Sequence, residues 1–222
     1  MPLETLAQLC LAGLEVLPVE AIAVTVMNRS GHGGVVHASN ALAGRLEDSA
    51  FTLGEGPAVD AFLTGAPVFV ADLDSEFGQR WPAFTQEALT SGCRSMLALP
   101  LCIGRITVGT LTFYAMHTVT LSEAELALAN SMIAPAARAL IDHVDDSMLR
   151  PGSENGLNGA DRPATFIRAE VYQASGMVMA QISASIDQAM ATLRAYAFSH
   201  NQPINDVAHE VVGRRLRFDS ET

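Results

Sequence analysis

The stretch "RPGSENGLNGADRP" (150–163) cannot belong to a packed core. Three of its residues are glycine, two are proline, and only Leu157 and Ala160 are apolar. Glycine and proline interrupt regular structure, and so little apolar surface cannot offset the entropy lost on ordering the chain. The length of 222 residues permits one large domain or two small ones. The break favours two: residues 1–149, a linker over 150–163, and residues 164–218.

In the first unit, Leu6, Cys10, Gly13 and Leu17 fall at helical spacing over about 3–17. "AIAVTVMNRSGHGGVVHASN" (21–40) predicts two strands around a glycine turn. "GEGPAVDAFLTG" (54–65) predicts a helix with Pro57 in its first turn and Gly65 at its end. "APVFVADL" predicts a short buried strand, and "RWPAFTQEALTSG" (80–92) an amphipathic helix. "RSMLALPLCI" and "RITVGTLTFYAM" are apolar strands joined through Gly104. Turns this short join antiparallel neighbours, so the unit is α+β with an antiparallel sheet. A long helix is predicted from Ser122, where Ser122 and Glu125 form a capping box. Leu126, Ile133 and Leu140 recur every seven residues, with Ala129 and Ala136 between them. That pattern suits either a helix covering its own sheet or a dimer seam.

The second unit predicts three helices. Ile167, Val171, Ala174 and Val178 share one face of the first. Ser185 and Gln188 cap the second, whose apolar stripe is Ile186, Ala189, Met190, Leu193 and Ala197. After Pro203 the stripe is Ile204, Val207, Ala208, Val211 and Val212. Helices this short must pack together to be stable, which gives an all-α bundle.

All 13 basic residues are arginine. Without lysine there is no Walker-type phosphate loop, Schiff-base enzyme or kinase-type ATP clamp, and a phosphoacceptor receiver is disfavoured. The net charge of −11 opposes generic adhesion to nucleic acid or anionic membrane. The acid is concentrated in the first unit: residues 1–150 carry 7 Arg against 16 acids, and residues 166–218 carry 5 against 4. Cys10, Cys93 and Cys102 lack CxxC spacing and are read as free, buried thiols of a reducing interior. "MPLETLAQLCLAGLEVL" has no basic signal region, and no apolar run reaches the roughly 18 residues of a membrane span. The expectation is a cytoplasmic protein with no membrane contact.

"YQASGMVMAQISASIDQAMATLRAYAFSHNQPINDVAHEVV" resembles the ANTAR module of transcription antitermination regulators. The landmarks are Ala174-x-Gly176-x-x-Met179, Ala189, Leu193-Arg194, Ala197, Asn201 and Asp206-Val207-Ala208. The resemblance implies a three-helix bundle that recognises paired RNA stem-loops in leader transcripts and prevents a terminator from forming. That family usually has lysine where Ser175 stands. Specific RNA recognition stacks unpaired loop bases on aromatic or arginine groups and reads their edges by hydrogen bonds. Arg194, Tyr196, His200 and Asn201 are candidates for that work, with Ser175 and Arg168 beside them. Plainer roles stay open: Tyr196 in the bundle, His200 and Asn201 ending a helix. Arg214, Arg215 and Arg217 are either phosphate contacts or a solvated helix end.

"GEGPAVDAF", "PVFVADL", "RWPAF", "GCRSMLALPL" and "VGTLTFYAM" occur in the order seen in actinobacterial GAF domains attached to ANTAR modules. The resemblance implies a central antiparallel sheet with a ligand pocket on one face and helices on the other, and a homodimer through the flanking helices. No cofactor is expected. An unidentified small-molecule signal is compatible with the family, as is a domain that serves only dimerisation. Cys93 and Cys102 lack the neighbours of a bilin site and are read as core; Trp81 either lines a pocket or packs in the core.

Nothing points to catalysis. The histidines show neither HxH nor HExxH spacing, and GxSxG is absent. The expected function is a signal-responsive RNA-binding regulator of antitermination. The alternative is an adaptor whose C-terminal bundle binds a protein and no RNA.

Overall fold

The computed structural model describes residues 2–27, 33–148, 164–200 and 202–218; of residues 33, 145–148 and 164–169 it describes only the backbone. The linker over 150–163, the turn after residue 27 and Asn201 lie outside the described residues. The chain divides into two compact units, Met1–Glu154 and Asn155–Thr222.

The first unit is built on five antiparallel strands: β1 (Ala21–Met27), β2 (Gly33–Ala38), β3 (Val68–Val70), β4 (Ser95–Ile103) and β5 (Ile106–Ala115). Their order across the sheet is β2-β1-β5-β4-β3. Side chains alternate between faces with a period of two. Ile22, Val24, Leu97, Leu99, Leu101, Leu111 and Phe113 therefore share one face. Ala21, Ala23, Met96 and Tyr114 share the other. Gly109 on β5 permits the close fit to β1, since a Cβ there would lie 2.1 Å from the Thr25 carbonyl oxygen.

Three helices cover the first face: α1 (Pro2–Val16), α5 (Glu123–Ser131) and α6 (Ile133–Met148). The other face is covered by α2 (Ala41–Leu53), α3 (Pro57–Thr64) and α4 (Pro82–Thr90). Sequence patterning had not singled out α2. Asn40 caps it by accepting from the Ala43 N–H at 3.1 Å, and Gly54 ends it at φ 70°. Its inward set, Leu42, Ala43, Leu46, Glu47 and Ala50, includes a carboxylate, which breaks the apolar signal.

Two further differences have clear causes. The long helix predicted from Ser122 begins with its capping box but breaks at Met132. Pro135 cannot donate to the Ser131 carbonyl four residues earlier, and its ring crowds that carbonyl, so α6 restarts as a separate segment. The heptad residues face the sheet: Ala129, Ala136 and Leu140 are buried in its core, with Leu126 and Ile133 packed beside them. They are not a free seam. Cys102, expected in the core, is only partly buried at the end of β4, whereas Cys10 and Cys93 are fully buried. Trp81 lies in the core, with Phe77 edge-on at 5.7 Å.

The second unit consists of α7 (Ala164–Ile182), α8 (Ile186–Ser199) and α9 (Ile204–Val212). Val171, Ala174, Val178, Ala189, Met190, Leu193, Ala197, Ile204, Val207, Ala208 and Val211 are all buried. Ile186, assigned by spacing to the apolar stripe, is 39% exposed in the first turn of α8, beyond the reach of the other helices. The Ser185–Gln188 capping box is formed. His209 Nδ1 lies 2.9 Å from Glu170 Oε1, tying α9 to α7.

Among the described residues, no helix is long and apolar enough to cross a membrane.

Candidate functional sites

On the α2 side of the sheet, the surface beneath the helices is small and polar. Thr25, Thr110 and Thr112 occupy it beside Ala21, Ala23 and Ala98, and all three threonines are buried. Glu47 reaches in from α2 and is itself 2% exposed. Its Oε2 accepts from the Thr25 hydroxyl at 2.8 Å, and its Oε1 accepts from the Tyr114 hydroxyl at 2.7 Å. Burial and the adjacent Glu47 carboxylate hold the Tyr114 pKa well above its ordinary value, so the phenol stays a donor. The Thr110 hydroxyl is buried with no hydrogen-bond partner among the described residues. Thr112 lies beside the Tyr114 hydroxyl, out of good hydrogen-bond geometry. Unsatisfied buried hydroxyls are uncommon and costly, which sets this polar cluster apart from the apolar core around it. The sequence reading missed it, because single threonines on apolar strands carry no motif.

The cysteines are placed against covalent chemistry. Burial pushes the Cys10 and Cys93 thiols up to about 12. The Cys93 thiol also donates to the Ser95 carbonyl at 3.5 Å. Among the described residues, no group of His, Cys, Asp and Glu could hold a metal ion.

In the second unit the residues singled out from sequence do not form one patch. With 3.6 residues per turn, Arg194 lies on one flank of the buried stripe of α8, and Tyr196 on the other. Arg194 is half-buried; its desolvation lowers the guanidinium pKa, and the nearby Tyr172 acts in the opposite direction. Tyr196 stacks on His200 with centroids 3.9 Å apart and meets Phe218 edge-on at 5.3 Å. His200 turns Nδ1 back to the helix end, 3.0 Å from the Tyr196 carbonyl and 2.9 Å from Ser199 Oγ. The tail that carries Phe218 is fixed by its N–H donating to Gln181 Oε1 at 2.9 Å.

Ser175 is fully buried, and its hydroxyl donates to the Tyr172 carbonyl at 2.8 Å. Its side chain serves α7 and offers no surface to a partner. Arg168 lies on α7, with its side chain outside the described residues, as is all of Asn201. Sequence reasoning passed over Phe198, which is 78% exposed. Its position beside the buried Ala197, outside the apolar stripe, was the available signal.

Residues 1–141 match the family model of the GAF domain, and residues 167–212 match that of the ANTAR domain. Among solved structures, the GAF domain region of a protein named as a membrane protein from Geobacter sulfurreducens PCA is similar at TM-score 0.53 and 19% identity. That match covers 64% of this chain and 93% of the other. A domain of a protein named as a two-component sensor histidine kinase from Sinorhizobium meliloti 1021 is similar at TM-score 0.51 and 14% identity, covering 67% and 97%. The GAF domain of an Acinetobacter phosphoenolpyruvate-protein phosphotransferase is similar at TM-score 0.50 and 14% identity, covering 69% and 87%. At these identities the likeness establishes the fold of the first unit. No curated protein matches the chain. GAF domains can take small-molecule ligands, and a GAF–ANTAR pairing is the architecture of signal-sensing, RNA-binding regulators. The chain belongs to the GAF domain family, with an ANTAR domain following its GAF domain.

Proposed function

We propose that the protein is a signal-responsive regulator of transcription antitermination, in which the GAF domain controls how the ANTAR domain meets stem-loops in nascent leader transcripts. Residues 1–149 form the sensor and dimerisation domain, 150–163 the linker and 164–218 the RNA-binding domain. The observation that carries the RNA reading is the charge on α8 and its following turn. In a chain of net charge −11, no carboxylate occurs from Gln188 through Asn205, and Arg194 stands on the exposed flank of that helix. Arg194 is the principal RNA contact; Tyr196 and its stacked partner His200, which do not share that flank, are secondary candidates, as are Asn201 and Arg168. The protein acts in the cytoplasm, where the transcripts are made.

A charge of only +1 over residues 166–218 gives weak attraction to phosphate. A homodimer presenting two modules to two stem-loops compensates through effective concentration. Leu3 and Leu11, on one side of α1, are 45% and 60% exposed and offer an apolar strip for that dimer. A small-molecule signal held by the GAF domain would favour one arrangement of the dimer over another, a shift of population.

The test is a titration of the full chain against a two-stem-loop leader RNA and a loop-scrambled control, at one stated salt concentration. Tight binding to the first alone supports the reading. A second reading, docking on a protein, is favoured by the exposed Met179 and Ile186. Arg194→Ala separates the two: lost RNA binding in a folded variant supports the regulator, and unchanged RNA behaviour supports the adaptor.

A further inference from the structure

Phe198 is the most exposed of the large apolar side chains in the described residues, at 78%. A phenyl ring left in water on a helix, outside the stripe that packs the bundle, does nothing for the fold. Its surroundings limit what it suits. Arg194 lies one turn earlier on the same flank, and Ala191 and Ala195, both exposed, are the other near neighbours on that side. The ring therefore shares its flank of α8 with Arg194, one turn earlier, and with two alanines whose methyl groups cannot cover it. Asp187, the nearest acid along this flank, is 11 residues earlier, about 16 Å along the axis.

A protein-docking surface would add further large apolar groups beside the ring. The other exposed one on this helix, Ile186, is 12 residues away, about 18 Å along the axis. An isolated aromatic ring one turn from an arginine, with the nearest acid on its own helix 11 residues away, matches an unpaired base and its phosphate. We infer that Phe198 is the stacking platform for an unpaired loop base of the bound RNA, with Arg194 holding the adjoining phosphate. This rests on the RNA-binding reading above and names the contact that reads the loop. It also reassigns the aromatic role, since Tyr196 is already engaged by His200 and Phe218.

The experiment measures leader-RNA affinity of the full chain and of Phe198→Ala, Phe198→Leu and Phe198→Trp across a range of salt concentrations. Phe198 is exposed, so thermal melts of all three variants should match the wild type. Alanine and leucine should each weaken binding about 10- to 100-fold, the range of one lost base stack. The slope of log affinity against log salt should stay unchanged in both, because stacking displaces no counterions. Phe198→Trp should bind within about threefold of wild type, and its fluorescence should be quenched by RNA. Trp81, the only natural tryptophan, is 2% exposed and gives a constant background. Wild-type affinity in Phe198→Ala overturns the inference, as does full retention in Phe198→Leu, which would mean simple apolar contact. If the wild-type chain itself fails to bind, the RNA reading falls and this inference with it, leaving Phe198 to a protein partner.

Discussion

Glu47 shows how much one buried residue can organise. Its two oxygens are held by hydroxyls from β1 and β5, so it joins α2 to the centre of the sheet. Glu47→Ala would leave the Thr25 and Tyr114 hydroxyls without that acceptor in a dry interior. The expected loss is about 2–4 kcal/mol, read as a lower urea midpoint, and an unchanged midpoint would contradict the assignment. Glu47→Gln keeps an acceptor oxygen and should lose less. The cysteines give a second check at this scale. With Cys10 and Cys93 near 12 because of burial, both thiols stay protonated at pH 8 and are shielded as well. Alkylation of the native protein should give a single adduct, at the partly buried Cys102, and three adducts after urea, counted by mass spectrometry. A second native adduct would show that the core opens.

At the scale of elements, local signals were readable and long-range ones were not. Both capping boxes, at Ser122 and Ser185, were legible because they depend on residues three apart. The β4–β5 hairpin was legible because Gly104 sits between two apolar runs. What patterning lost were features set by the far side of a contact: the inward Glu47 and the outward Ile186, while the heptad pattern left open the sheet-covering role that the structure shows. The break at Met132 was legible in principle, through Pro135, but the heptad masked it. Helix α7 holds a test of the RNA surface. Gly176 lies in its interior, where glycine costs about 1 kcal/mol relative to alanine, yet a Cβ there would meet nothing within 4 Å. Packing gives no reason for glycine at this position; close approach of a partner does. Gly176→Ala should stabilise the isolated fold by about 0.5–1 kcal/mol and weaken RNA binding. A variant that is more stable and binds equally well would remove α7 from the interface.

For the whole molecule, the division of labour follows the division of charge. Most of the acid lies in the GAF unit, which repels RNA, and the ANTAR unit is close to neutral. On the proposed reading, selectivity comes from shape and stacking more than from bulk attraction, and affinity from the two modules of a homodimer acting together. The two-domain layout was legible from the composition of 150–163 and the families from their motif order. The individual contacts were not, because exposure is decided by how three helices pack. Phe198 falls outside the apolar stripe in sequence, but how far it projects into solvent is settled only by the packing of the three helices. The most direct measurement of the central claim is single-round transcription through a leader carrying two stem-loops and a terminator, with and without the protein. The account predicts that read-through rises with protein on the natural leader and stays at background when the loops are scrambled. Tight, loop-dependent RNA binding with no change in read-through would contradict it.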